Sequence, residues 1–314
     1  MRQAVISATA VVVDGALATA VARLPDAVRA RAARAERLSQ LALAAAWRAL
    51  SDAGRLQQDG EPRATCGISL GTAFGCFLTN AAYQRRLALD GARSASPRLF
   101  AATVSNAAAG EVSIACRLGG PAVTVTAGGA AGLLAIGHGA DLVADGRAEV
   151  VVAGGVDARG PDLERWLGDG GLGHCAPTMR EGAGVVVLEA SPTGMPVGRV
   201  LGHAAGFSAP GESSHAGALV SRALDDAGAM GSEVARVALV GARAAAPPVV
   251  RALRAMLGPV QLVTPSPGGE TFAAAGPLAL VDALAAAPPG RLVVVLQLCP
   301  SGHAAALVAA REAA

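Results

Sequence analysis

Val125-Thr-Ala-Gly-Gly-Ala-Ala-Gly-Leu-Leu-Ala-Ile-Gly137 reads as the end of a β-strand, a turn of small residues and the start of a buried helix. The β-branched pair Val125 and Thr126 suits the strand. From Ala127 to Gly132 no side chain exceeds a methyl group, which lets backbone approach backbone in a sharp turn. Beyond Leu133 the residues are apolar on every face, as in a helix covered all round. The N-terminus of such a helix is a positive environment of free N–H groups. This turn places no functional side chain in it.

The same strand–helix alternation runs along the whole chain. Apolar runs of strand length are expected at 4–13, 66–71, 122–126, 150–153, 185–189, 199–205, 234–240, 261–264, 292–298 and 304–309. Helices are expected at 35–53, 78–87, 108–118, 130–144, 215–227, 248–257 and 274–286. Alternation of this kind implies an α/β fold, with a parallel or mixed sheet covered by helices on both faces. A faint repeat accompanies it. Gly128-Gly-Ala-Ala-Gly132 precedes an apolar helix and the strand near Val150, and Gly268-Gly-Glu-Thr-Phe-Ala-Ala-Ala-Gly276 precedes an apolar helix and the strand at 292–298. Each half also opens on an apolar strand, near residues 4 and 199. The expected division is 1–190 and 191–314, fused into one structural unit.

Composition bounds the function. With 314 residues, 52% hydrophobic and 16% charged, the chain has ample material for a core and does not resemble a disordered segment. A net charge of +2 gives no global field for nucleic acid. All 26 basic residues are arginine, so neither a Schiff base nor a lysine general base is available. The five cysteines, Cys66, Cys76, Cys116, Cys175 and Cys299, are dispersed and odd in number, which points to a reduced cytoplasm and to neither a zinc site nor a disulfide framework. Ala4–Val13 reads as a first buried strand rather than a signal segment, and no apolar run reaches membrane-spanning length. No metal or cofactor is expected.

Many segments, in order, resemble the β-ketoacyl synthases. The helix within Arg34–Gly54, the strand and glycine turn Gly67-Ile-Ser-Leu-Gly-Thr-Ala-Phe-Gly75, Ser105-Asn-Ala-Ala-Ala-Gly110, Leu118-Gly-Gly-Pro121, the strand closing at Val-Ala-Gly-Gly-Val-Asp157, and Arg180-Glu-Gly-Ala-Gly-Val-Val-Val-Leu-Glu189 all fit that family. So do Ala223-Leu-Asp-Asp-Ala-Gly228 and Ser301-Gly-His-Ala-Ala-Ala-Leu-Val308. The resemblance implies the thiolase fold: two duplicated βαβαβαββ halves in a five-layered α-β-α-β-α arrangement. It also implies that the opening stretch is the family's nucleophile elbow, where a cysteine stands at the mouth of a helix.

The departures fall on the chemistry. Gly132 takes the elbow's closing glycine, so Gly129 takes the cysteine's place. Val240-Gly-Ala-Arg-Ala-Ala-Ala-Pro247 replaces the family's first histidine turn. In Pro265-Ser-Pro-Gly-Gly-Glu-Thr-Phe-Ala-Ala-Ala-Gly276, Pro265 replaces the lysine and Glu270 the second histidine. A carboxylate there would oppose a developing enolate; Glu270 reads instead as a cap on the following helix. The chain is also shortened at 14–34, 157–180 and 240–247. Other features read as structural: Cys76 and Cys116 as inert thiols off any elbow, His174-Cys175 as an unsupported metal pair, Gly168–Gly173 as a loop, Ser213–His215 as a helix start, and His303 as a framework residue.

The resemblance therefore implies a catalytically silent subunit of the chain-length-factor kind in type II polyketide systems. Such a protein forms a heterodimer with an active β-ketoacyl synthase and shapes the tunnel that receives the acyl chain from an acyl carrier protein. Chain-length factors often carry glutamine at the cysteine position, so Gly129 is a departure within that group, and the brevity points to polyene-type chains. The expected dimer strand is Ala122, Val123, Thr124, Val125 and Thr126. Phe100, Thr103 and Val104 are expected to gate the tunnel across the interface, with a core-filling role open for Phe100. A repurposed thiolase-fold enzyme and a non-enzymatic homodimeric scaffold are the alternatives.

Overall fold

A computed structural model describes residues 4–56, 61–172, 179–207, 214–264 and 270–312. The first half comprises β1 (Ala4–Val13), α1 (Leu17–Ala22), α2 (Asp26–Ala32), α3 (Arg37–Asp52), β2 (Cys66–Gly71), α4 (Phe77–Asp90), α5 (Pro97–Ala101), α6 (Ala107–Cys116), β3 (Ala122–Val125), α7 (Ala131–Ala144), β4 (Val150–Asp157), α8 (Pro161–Leu167) and β5 (Gly182–Glu189). The second comprises β6 (Gly198–Phe207), α9 (Ser214–Ala227), β7 (Val234–Val240), α10 (Pro247–Leu257), β8 (Gln261–Val263), α11 (Ala275–Ala286), β9 (Leu292–Leu298) and β10 (His303–Arg311).

The strands form one ladder in the order β3-β2-β4-β5-β1-β6-β10-β9-β7-β8. Read outward from its middle, the order is the same on both sides: first strand, fifth, fourth, second, third. The directions repeat as well. β2 runs parallel to β3 and β4, and β7 to β8 and β9, whereas the last two pairings of each half are antiparallel. The duplication extends to the first strand of each half. β1 and β6 are each 10 residues long, and each bulges at its fourth residue, Ser7 against β5 and Leu201 against β10. The halves meet where β1 pairs with β6 over Ala4–Val200, Val5–Arg199 and Ile6–Gly198. Val5 and Arg199 occupy equivalent positions in their strands, so the internal two-fold passes through their pairing.

Helices sort into three layers. α3 and α6 cover the outer face of the first half, and a core of Leu41, Ala45, Ile68, Val112, Val152 and Val187 lies beneath them. α9 and α10 cover the second, over Leu219, Val220, Val237, Leu253, Val294 and Val308. α7 and α11 lie between the two halves of the sheet and contact strands of both. Their sequences are apolar on all sides because both sides are covered, and Leu133, Ile136 and Leu280 are fully or almost fully buried. This is the five-layered thiolase fold expected from the sequence.

Several elements differ from expectation. β3 ends at Val125 rather than Thr126: Thr72 N–H closes the ladder on Val125 O at 3.0 Å, and Thr126 already begins the elbow turn. The short helices α1 and α2 occupy a stretch to which the sequence assigns no element. At 6 and 7 residues they are too short to be stable alone, and buried Leu17, Leu24 and Ala32 hold them to the body. α8 is unanticipated too, although Pro161 at its first turn and Asp162 and Glu164 behind it are start signals. It runs into a wide helical turn at Gly168–Leu172, where a loop is expected.

Candidate functional site

The elbow between β3 and α7 lies in the middle layer, pressed against the turn that begins α11. Gly128 adopts φ +54°, open to glycine at little cost. A Cβ on Gly132 would stand 1.9 Å from Ala273 O, so the closing glycine is what lets the two turns touch. The sharp strand–turn–helix expected from the sequence is thus present.

Around Gly129 the structure assembles residues distant in sequence. A Cβ there would begin 3.1 Å from Gln297 Nε2, 3.2 Å from Cys299 Sγ and 3.6 Å from Phe272 O. Gln297 and Cys299, at and just beyond the end of β9, are both buried. Gln297 Nε2 donates to Phe272 O at 3.1 Å, while its Oε1 has no partner. Burial pushes the Cys299 thiol up to about 12, against the pull of the Ala130 and Gly129 N–H groups that face it. Cys299 N–H donates to His303 O at 2.9 Å, and Arg243 Nη1 donates to Cys299 O at 2.7 Å, so the turn carrying the thiol is fixed from two sides. On its outer side Ser301 Oγ lies 3.1 Å from His303 Nδ1, and the His303 ring meets Phe207 edge-on.

A buried carboxylate ties this region together. Asp157, fully buried at the end of β4, accepts from Thr72 Oγ1 at 2.8 Å, from Ala73 N at 3.0 Å, from Phe74 N at 3.2 Å and from Ala273 N at 2.9 Å. It joins the turns after β2, after β4 and before α11. Burial pushes its carboxyl up to about 6, although every one of these donors favours the ionised form. Phe272, beside it, holds φ +47°, a region costly for a bulky side chain. Its N–H is accepted by Glu270 Oε1 at 2.9 Å, and its ring packs edge-on against Phe74 at 4.7 Å.

Glu270 therefore turns its carboxylate to the backbone two residues on, at the first residue of a short 3₁₀ turn, Phe272–Ala274. Pro265, His174, Cys175 and Ser213 lie outside the described residues. Cys76 requires a correction. It stands at the N-terminus of α4, after β2 and the turn at Gly75, and so does lie on a strand-to-helix elbow, because Asp157 folds Thr72–Phe74 tightly. Its thiol is nonetheless engaged: it donates to Thr103 O at 2.7 Å and accepts from Asn80 Nδ2 at 3.1 Å, and burial, with Glu36 nearby, raises its pKa. Cys116 is buried and its thiol pushed up to about 12 by desolvation.

The expected tunnel and interface residues lie at the surface. Phe100 is 62% exposed and Val104 52%, so neither fills this chain's core. Thr103 is half-buried and donates to Phe100 O at 2.7 Å. Among the described residues β3 is the end of the ladder and pairs only with β2, over Ile68–Ala122 to Gly71–Val125. Ala122 and Thr126 are exposed, and Val123, Thr124 and Val125 are half-buried. Thr124 Oγ1 is buried without a partner. α6, packed beside β3, exposes Ile114 at 62%. Among the described residues no helix is long and apolar enough to cross a membrane, and no three metal-ligating side chains cluster.

Residues 9–164 match the family described as β-ketoacyl synthase, N-terminal domain. Among solved structures, the ishigamide ketosynthase/chain length factor is 23% identical with a TM-score of 0.81, over 99% of this chain and 100% of that one. A β-ketoacyl synthase from Burkholderia phymatum STM815 is 17% identical with a TM-score of 0.83, over 100% of both chains. AntDE:AntF, a type II polyketide acyl-carrier protein in complex with its ketosynthase bound to the hexaketide, is 16% identical with a TM-score of 0.78, over 99% of this chain and 100% of that one. At these identities the likeness is one of fold. No protein of curated function is similar enough in sequence to match.

Proposed function

Because residues 9–164 match the β-ketoacyl synthase N-terminal domain yet glycine stands at the nucleophile's place, we propose that this chain is a non-catalytic synthase-like subunit of the chain-length-factor kind. It pairs with an active ketosynthase as a heterodimer, shapes the tunnel for the growing acyl chain, and meets the acyl carrier protein through that complex. The system served is type II polyketide synthesis in the cytoplasm, with polyene-type chains as products. The halves 1–190 and 191–314 act as one unit. A single observation carries this reading: the elbow's geometry is intact, while position 129 has no side chain and its space is bordered by Gln297 and Cys299. Loss of a nucleophile removes the covalent step itself rather than a fraction of its rate.

The unpaired outer edge of β3 supports the heterodimer. An open strand edge flanked by exposed Ile114 is a liability unless covered, and an obligate interface of this kind buries more than about 2,000 Å². Co-expression with a ketosynthase tests the proposal. The pair is expected to co-purify at one-to-one stoichiometry, and a chain that remains a soluble monomer at micromolar concentration beside the synthase overturns it.

One observation favours a second reading, a repurposed enzyme. Ser301 Oγ and His303 Nδ1 stand at nucleophile–base distance, 3.1 Å, against Gly128. Labelling of Ser301 by a fluorophosphonate would support it, whereas an unlabelled serine leaves the non-catalytic reading in place.

A further inference from the structure

We infer that Cys299 and Gln297 form a plug that closes the elbow: the thiol and the carboxamide border the space of a side chain at 129, at the mouth of α7. The inference rests on the reading of this chain as non-catalytic and adds how the silence is built. Two contacts define the plug. The point where a side chain at 129 would begin is 3.2 Å from Cys299 Sγ and 3.1 Å from Gln297 Nε2. The N–H groups of Gly129 and Ala130, at the mouth of the 14-residue helix α7, are close enough to draw the thiol's pKa down against burial. Both plugging residues are 3% exposed.

The plug is also locked. Arg243 and the His303 carbonyl hold the Cys299 backbone, and Phe272 O holds the Gln297 amide. Gln297 Oε1 is left without a partner, a cost the fold sustains to keep the carboxamide beside the elbow. A thioester carbonyl approaching the elbow would meet a protein sulfur where the side chain at 129 would begin. Silence therefore has two parts, a missing nucleophile and an occupied seat. Replacing Gly129 alone leaves the second in place.

The plug makes a chemical prediction. In a disulfide, each Cβ lies about 3 Å from its partner's sulfur. The 3.2 Å separation from Cys299 Sγ suits that bond, so the thiol introduced by Gly129→Cys is placed to oxidise onto Cys299. Formation needs an added oxidant such as a glutathione disulfide buffer, which takes up the two electrons and two protons released. Removing the resident sulfur as well, in Gly129→Cys/Cys299→Ala, returns the helix-terminal N–H groups to the introduced thiol and favours its thiolate.

Iodoacetamide labelling at pH 7, followed by intact mass and peptide mapping, tests this on the full-length chain. Wild type and Cys299→Ala serve as controls for Cys66, Cys76, Cys116 and Cys175. In the oxidising buffer, Gly129→Cys is expected to lose the mass of two hydrogens, with the bond mapped to position 129 and Cys299. Under reduction, the double variant is expected to label at position 129 about tenfold faster than the single variant, as thiolate gain at a helix N-terminus implies. Equal rates in the two variants, or no disulfide, overturn the plug. If the substituted chains fail to fold, native wild type decides: Cys299 should resist labelling until the protein is unfolded, and rapid labelling in the folded chain refutes the inference. None of these readouts depends on partner binding, so a failed plug is distinguishable from a failed heterodimer.

Discussion

Phe100→Ala separates a surface role from a core role. In the isolated chain the ring is 62% exposed and meets Tyr83 at 5.8 Å in a tilted contact. Full burial of a phenylalanine is worth roughly 1.5–3 kcal/mol, so with most of the ring in water about 1–2 kcal/mol remains to be gained against a partner. Truncation is therefore expected to cost the isolated chain less than about 1 kcal/mol, since little burial is lost. The same change should weaken the pair with the ketosynthase by roughly 5- to 30-fold, the equivalent of 1–2 kcal/mol in Kd. It should also shift products toward longer chains if the ring stops the tunnel across the interface. The assay is a titration of the synthase with each form, with thermal melts and product lengths measured alongside. A large loss in the melt of the isolated chain with unchanged affinity would refute the reasoning and return Phe100 to the core. Unchanged affinity and unchanged lengths would place both the interface and the gate elsewhere.

Thr103→Phe and Val104→Phe are expected to shorten products of the reconstituted pair, because Val104 is exposed and Thr103 half-buried, so that neither ring need displace the core; unaltered lengths in an assembled complex would contradict the gate. Asp157→Asn tests the buried carboxylate. Its folded pKa is raised to about 6 from 3.8, so its contribution is full below pH 3.8 and is lost as pH rises through 6. The stability advantage of wild type over Asn, measured by denaturant unfolding, should therefore shrink by roughly 2–2.5 kcal/mol between pH 4 and 7. A gap that widens with pH would show that the N–H donors outweigh burial.

The fold was readable because its elements carry local signals. β1, β2, β7 and β9 begin and end where their apolar runs do, since strands covered on both faces need no alternation to mark them. α7 and α11 announced a middle layer by being apolar all round. The absence at position 129 was equally visible, being a matter of one residue in a recognisable turn. What borders that absence was not. Gln297 and Cys299 reach Gly129 only because α7 and α11 are sandwiched between the halves, a contact across some 170 positions that no local pattern encodes. A hint lay in Cys299-Pro-Ser-Gly-His303, where a thiol ends a buried strand and meets a tight turn. Asp157 was hidden in a similar way, as the last residue of a strand whose donors come from two other turns. α1 and α2 escaped because helices of one to two turns owe their stability to Leu17, Leu24 and Ala32 rather than to their own sequences.

The central claim, that this chain shapes an acyl tunnel without handling the acyl group itself, is tested most directly by weighing both subunits after loading. The co-purified pair is incubated with an acyl carrier protein charged with an acyl thioester, quenched, and each chain's intact mass measured. One acyl adduct on the ketosynthase and none on this chain is the predicted result. A stoichiometric adduct on this chain would contradict it.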